Sequence, residues 1–384
     1  LYQKLKNIEK EFPSTAVEYS TTRVLKPNGT CNPTCSDIGF ESGNLTGWNA
    51  YYATNNSTTT TMSYTSAVGG AAGAVTKAAY DIVNCTDHTQ PTYQVAIMSG
   101  TGNDPIAGSI IPVVAPGGGS YSCRIGDTSV GGARVAVINQ QFTVTAGNTA
   151  LNYMYAPVID LVAATAQQHP WGQQPHFVVT ITDVTTGDTL QCGKYLVTSQ
   201  TTGAGYIPIS YKIPTYGWTD TVLVAPWKTV FVSLQNYIGH CIQIEASVAD
   251  CFPNGHIGPH FCYCYFDATC GPFSIIASTP SVCGGNVSLT APAGGSAYAW
   301  TGPGIVGSNS GQVITAGASG TYTVTVTSAD GCTDTLQKPV TITPTMSVTA
   351  TSTNAGCATG TATANPTGGT PPYSYNWSNG STNQ

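Results

Sequence analysis

Three acidic residues stand where they could hold a divalent cation: Asp37 and Glu41 at the start of a long β-rich stretch, and Asp267 at its end. If the first and last strands of a sandwich lie side by side, these carboxylates and nearby backbone carbonyls could supply the roughly 6–8 oxygen ligands of Ca²⁺. The competing reading is that they cap turns by accepting backbone N–H groups. His256 and His260 have a spacing that would suit zinc on a helix, but Pro253, Gly255, Gly258 and Pro259 make their segment a loop without a third ligand. His169 and His176 flank Pro170-Trp171-Gly172, again a loop.

Catalytic constellations are scarce. There is no Gly-x-Ser-x-Gly elbow, and Glu245 is the only glutamate after Glu41, so a carboxylate pair for glycoside hydrolysis is hard to assemble. The chain is therefore expected to be non-catalytic, with a secreted polysaccharide hydrolase as the less favoured alternative. Binding has better material: Trp171, Trp218 and Trp227 lie in Pro- and Gly-rich segments, where an exposed indole could stack on a sugar ring. Phe261, Tyr263 and Tyr265 alternate instead as one buried face of a strand.

Composition narrows the classes further. Of 384 residues only 8% are charged, against about 25% in an average soluble protein. With 12 Lys and Arg against 18 Asp and Glu and no basic stripe, nucleic-acid binding has no electrostatic footing. Hydrophobic residues make up 41%, and 43 glycines and 24 prolines indicate a folded, turn-rich chain. Thirteen cysteines without paired Cys-x-x-Cys motifs place it in an oxidising exterior, as an extracellular or cell-surface protein. No uninterrupted apolar run of about 18 residues offers a transmembrane segment.

The elements that must position these residues follow from periodicity. Residues 1–30 are charge-rich, and Leu1, Leu5, Ile8 and Phe12 follow helical spacing up to Pro13, which predicts a short amphipathic helix that serves as a docking segment or stays frayed. Residues 31–272 change to period two, with β-rich runs at 133–145, 151–158, 189–198, 229–234, 241–248 and 260–266, as in Phe177, Val179 and Ile181. Many short strands predict a jelly-roll β-sandwich, with long Thr-, Asn- and Gly-rich loops between residues 51 and 119, including the Pro116-Gly117-Gly118-Gly119 turn. A further unit, 275–345, contains Cys283, Trp300, the alternating run Tyr322 to Val326, and Cys332; at 346–384 the pattern restarts with Cys357 and Trp377. The expectation is an all-β chain, the front part of a longer repetitive protein, whose odd cysteine has its partner beyond Gln384.

Gly356-Cys357-Ala358-Thr359-Gly360 and Gly368-Gly369-Thr370-Pro371-Pro372-Tyr373-Ser374-Tyr375-Asn376-Trp377-Ser378-Asn379-Gly380 resemble the SprB-type repeat of large surface adhesins in gliding Bacteroidetes. Gly320-Thr321-Tyr322-Thr323-Val324-Thr325-Val326 with Gly331-Cys332 is similar to the Ig-like and PKD-like modules of such proteins. That resemblance implies an inter-sheet Cys283–Cys332 disulfide against Trp300. Gly39-Phe40-Glu41-Ser42-Gly43, Gly47-Trp48, Phe142-Thr143-Val144-Thr145 and Tyr153-Met154-Tyr155-Ala156 resemble MAM-type and carbohydrate-binding jelly rolls. This implies a structural calcium near Asp37, Glu41 and Asp267. Cys262 and Cys264 depart from the pattern and imply extra disulfides.

Asp188-Thr189-Leu190, Asp220-Thr221-Val222 and Asp334-Thr335-Leu336 look like the O-glycosylation triplet of Bacteroidetes, which makes Thr189, Thr221 and Thr335 candidate glycosylation sites. The resemblances imply export from a Gram-negative cell by type IX secretion, and a place in gliding motility. The expected function is a non-catalytic cell-surface adhesin region, whose jelly roll binds a glycan or other surface polymer and is projected by Ig-like spacers. The alternative is a structural filament subunit that docks on copies of itself through its N-terminal segment or edge strands.

Overall fold

The computed structural model describes residues 31–54, 68–69, 95–128, 134–161, 174–199, 205–212, 219–251, 260–279, 281–328, 331–354, 356 and 359–384. The helix expected before Pro13, Trp171, Trp218, His169 and His256 lie outside these. The chain divides into two compact units, Leu1–Pro272 and Phe273–Gln384.

Among the described residues, the regular elements of the first unit are strands, apart from one 3-10 turn at Gln235–Tyr237. Its strands begin with β1 (Asn49–Thr54), β2 (Val68–Gly69), β3 (Val95–Ser99), β4 (Asn103–Asp104), β5 (Gly108–Pro112) and β6 (Tyr121–Ile125). The long strands follow: β7 (Arg134–Thr143), β8 (Ala150–Asp160), β9 (His176–Asp183) and β10 (Thr189–Thr198). Last come β11 (Ile207–Lys212), β12 (Thr219–Val224), β13 (Lys228–Ser233), β14 (Cys241–Ala249) and β15 (Cys262–Gly271). One sheet runs β10-β9-β14-β7-β1-β2; the other runs β11-β12-β8-β15-β6-β3, with β13 also on β8.

Period-two alternation decides which side chains meet between the sheets. Ile242, Ile244, Ala246 and Val248 of β14 and Phe177, Val179 and Ile181 of β9 face Leu151, Tyr153 and Tyr155 of β8 and Phe266 and Ala268 of β15 in one buried cluster. Phe40 stacks on Trp48 at 5.1 Å between ring centroids, and Trp48 meets Phe266 edge-on at 5.9 Å.

The outer face of the seven-stranded sheet is buried too. Ala156, Val158, Val222, Val224, Tyr263 and Tyr265 pack there with Ile106, Ile111 and Val113, which come from the β4–β5 hairpin and the residues beside it. Buried Asp104 seats the hairpin: its Oδ2 accepts the Tyr263 and Tyr265 hydroxyls at 2.8 and 2.9 Å, and its Oδ1 accepts the Ile106 and Ala107 N–H groups at 2.8 and 2.6 Å. Every oxygen of this buried carboxylate is thereby satisfied, which is the condition for burying it at all.

The second unit holds β16 (Ile276–Ala277), β17 (Ser281–Cys283), β18 (Val287–Thr290), β19 (Ala297–Thr301), β20 (Ile305–Val306), β21 (Val313–Ala316), β22 (Gly320–Thr327) and β23 (Thr333–Thr343). They form two four-stranded sheets, β16-β18-β21-β20 and β17-β23-β22-β19. Trp300 is buried and donates its indole N–H to the Gly311 carbonyl at 2.8 Å. A separate pair, β24 (Ser347–Ser352) and β25 (Ala362–Thr367), follows.

The disulfides differ from expectation. Cys31 bonds Cys241 and Cys35 bonds Cys270. Cys262 and Cys264 are buried free thiols, not extra bridges. Both point into the core, and their cross-strand neighbours are Ile159, Pro157 and Ile125, with no cysteine opposite either one. The expected Cys283–Cys332 bridge is also corrected: Cys283 is an exposed free thiol, while Cys332 is disulfide-bonded elsewhere. Cys283 lies opposite Thr343, at the far end of β23 from Cys332. At about 3.3 Å of rise per residue that separation is on the order of 30 Å, several times the reach of a disulfide.

Two substitutions check this account by denaturant unfolding. Phe266→Ala should cost about 3–5 kcal/mol, because the ring fills the contact between the sheets. Cys283→Ser should change stability by no more than about 0.5 kcal/mol, whereas Cys332→Ser should lower it by about 2–4 kcal/mol.

Candidate functional site

The segment from Cys31 to Trp48 has no strand of its own and is held near its start by two disulfides and by the Asn32 bridge to Phe142. Cys31 ties it to β14 of the six-stranded sheet and Cys35 ties it to β15 of the seven-stranded sheet. Between them and Trp48 the chain makes tight turns, with Phe40 N–H donating to Asp37 O at 3.1 Å and Gly43 N–H to Phe40 O at 2.8 Å. Phe40 adopts a left-handed backbone at φ 62°, which a non-glycine residue tolerates here because its ring is fully buried against Trp48. The side chain of the next residue, Glu41, is thereby turned outward.

Glu41 reaches the Gly117–Gly119 turn. Its two carboxylate oxygens each accept the Ser120 N–H at 3.1 Å, and Oε1 also accepts the Tyr121 N–H at 3.3 Å. Asp267 sits beneath the same turn on β15. It is fully buried; Oδ1 accepts the Ala268 N–H at 2.7 Å, and Oδ2 has no hydrogen-bond partner. Glycine is required where the turn crosses the two carboxylates: a Cβ on Gly118 would overlap Asp267 Oδ2, and one on Gly119 would overlap Glu41 Oε1. A Cβ on Gly39 would also stand 3.2 Å from Asp267 Oδ1.

Burial pushes the Asp267 carboxyl up to about 8, and the negative charge of Glu41 adds to the shift. Two carboxylates over a glycine cradle, one with an orphaned buried oxygen, suit a hard cation that would replace the proton. Asp37 does not join them. Its oxygens accept the Ser42 N–H at 2.8 Å and the Ser42 hydroxyl, closing its own turn, and among the described residues no three His, Cys, Asp or Glu side chains converge on one point. Glu41 and Asp267 are thus brought together as the spacing suggested, while Asp37 follows the turn-capping alternative. The role of Gly118 and Gly119 was not assigned from sequence, although three consecutive glycines are the mark of a close backbone approach.

Trp227 is not a free stacking surface. Its indole N–H donates to Pro112 O at 2.7 Å, and its half-buried ring tilts against Tyr265 at 6.3 Å. Thr189 and Thr335 are exposed; Thr221 is half-buried within β12, paired to Ser210.

Two all-β units, the first closed by two disulfides, define the class as a disulfide-stapled β-sandwich protein. The comparisons add one specific feature: the SprB repeat model matches residues 349–382, the stretch that contains β25 and Trp377, and marks a surface protein. No curated protein is similar to the chain in sequence. Among solved structures it is similar to TmCBM61 in complex with β-1,4-galactotriose, at 10% identity and TM-score 0.28, over 63% of this chain and 99% of that one. It is also similar to the enzymatically active domain of bacteriophage CBA120 tailspike protein 4, at 9% identity and TM-score 0.25, over 62% of this chain and 21% of that one. The glycoside hydrolase domain of Endo-D from Streptococcus pneumoniae R6 matches at 10% identity and TM-score 0.20, over 58% of this chain and 34% of that one. Among the described residues no helix is long and apolar enough to cross a membrane.

The carboxyl pair has a testable signature. An unfolded Asp titrates near 3.9, so between about pH 4 and pH 8 the folded chain keeps a proton on Asp267 that the unfolded chain has released. Folding stability in chelator should therefore fall as pH rises through that interval. Asp267→Asn should flatten the dependence in urea melts run at several pH values; an unchanged slope would place its source elsewhere.

Proposed function

We propose that this chain is the non-catalytic recognition region of a cell-surface adhesin, in which the 31–272 sandwich binds a glycan or other surface polymer and the modules after it act as spacers. The observation that carries this reading is the SprB repeat at residues 349–382, in the last part of the second of two all-β units, of which the first is closed by two disulfides. An enzyme would need reacting groups, and the carboxylate pair at Glu41 and Asp267 is engaged with backbone N–H groups or buried. In this reading the host is a gliding Bacteroidetes cell with type IX export, and Thr189, Thr221 and Thr335 carry O-linked sugars.

Calcium fits the same pair. Glu41 and Asp267 would be its carboxylate ligands, and backbone carbonyls and water would complete the shell. When bound, the ion supplies positive charge that removes the cost of ionising Asp267 and fastens the Cys31–Trp48 segment to the Gly117–Gly119 turn. Proton and cation compete for Asp267, so affinity rises with pH up to about 8. A loop surface ordered in this way recognises a polymer through many weak contacts, which multiply when several copies act together.

A second reading is self-association into a filament. Among the described residues β11 is an edge strand, and Ile207 at its start is exposed, which offers a row for β-augmentation by another copy.

The oxidised full chain on a broad glycan array, with calcium and again with chelator, distinguishes these readings. The adhesin reading expects binding that is lost on chelation and at least tenfold weaker for Asp267→Asn. Absence of binding in both buffers, with concentration-dependent assembly of the chain, would transfer the role to the filament reading.

A further inference from the structure

We infer that the first unit carries tension through its disulfides, so that a pull along the chain bypasses the whole β-sandwich. This goes beyond the adhesin reading and stands whether or not a glycan is bound.

The argument is one of covalent connectivity. Cys35 and Cys270 are 235 residues apart in sequence and 6.5 Å apart in space. Cys270 lies in the last strand of the unit, two residues before the boundary at Pro272. Tension that arrives from the N-terminal side of Cys31 and leaves toward Phe273 needs only the few residues from Cys31 to Cys35, the disulfide, and the step to Pro272. Strands β1 to β14 all lie inside the closed loop, off that path. Apart from the Asn32 bridge to β7 and the pairing of Gly271 with Ala150 of β8, their hydrogen bonds bear no share of an end-to-end load.

The second disulfide makes the bypass redundant. Cys31–Cys241 interleaves with Cys35–Cys270 in chain order, so neither loop is contained in the other. If Cys35–Cys270 were opened, tension would pass through Cys31–Cys241 and load only the stretch from Cys241 to Cys270, which holds β14 and β15. Opening Cys31–Cys241 alone would leave the shorter path intact. The two bonds thus act in a fixed order of importance that the sequence positions alone dictate.

Single-molecule extension of the full oxidised chain, held by its two ends, tests the inference. The wild type and Cys31→Ser should show release only from Phe273–Gln384. Cys35→Ser should add about 10 nm, the extended length of the stretch from Cys241 to Cys270 at ~3.5 Å per residue. Cys31→Ser combined with Cys35→Ser should add up to about 80 nm, as should the wild type after reduction of both bonds by a dithiol. A release near 80 nm from the oxidised wild type, or the same release from Cys35→Ser as from the double variant, would overturn the bypass. Should the double variant not fold, the wild type and the two single variants still decide, because each keeps at least one of the two disulfides and only Cys35→Ser is expected to release more than the wild type.

Discussion

The architecture of the first unit depends on one constraint: a segment without strand structure is covalently fixed to both sheets. Between Cys31 and Trp48 the chain forms no strand and a single β-bridge, Asn32 to Phe142, so its position is set by that bridge, Cys31–Cys241, Cys35–Cys270 and the burial of Phe40 and Trp48. Closing loops of this length in the unfolded chain lowers its entropy and favours the folded state. The aromatic pair covers the core at Phe266, and the left-handed turn at Phe40 that burial makes tolerable points Glu41 at the Gly117–Gly119 turn. Staple, plug and carboxylate are therefore one device.

Buried charge is handled in two contrasting ways on the seven-stranded sheet. Asp104 receives two tyrosine hydroxyls and two backbone N–H groups, and fastens the β4–β5 hairpin over the outer face. Asp267, one turn of the alternation beyond Tyr265 on the same strand, keeps one oxygen without a partner and holds its proton toward about 8. Full satisfaction suits a structural anchor. An oxygen left unsatisfied beside a second carboxylate and a glycine cradle is the feature on which the proposed cation site rests.

Recognition and load-bearing make compatible demands on this fold. A surface module that binds while its carrier is pulled must keep its loops in place under tension. Routing the pull through the Cys35–Cys270 disulfide leaves the loops between the strands mechanically unloaded, and the same bond holds the segment that presents Glu41. The free thiols at Cys123, Cys262 and Cys264 take no part; each is a small apolar filler within the core.

Much of this was legible in the residues themselves. Period-two runs located β9, β14, β15 and β22 because alternating burial needs alternating polarity, whatever the neighbours are. Glu41 and Asp267 could be matched because the beginning and end of a sandwich tend to adjoin, and the SprB stretch could be read from its own string of glycine, proline and aromatic residues. Disulfide partners could not be read, since bonding depends on which Cα atoms come within about 7 Å, and strand order alone decides that. Cys283 therefore faces Thr343 instead of Cys332, and Cys262 and Cys264 face aliphatic neighbours. Trp227 likewise met Pro112 and Tyr265 only because the hairpin folds back over the outer face. Local polarity determined the strands; the spatial order of strands determined every contact between residues distant in sequence, because such contacts exist only after the sheets have closed on one another.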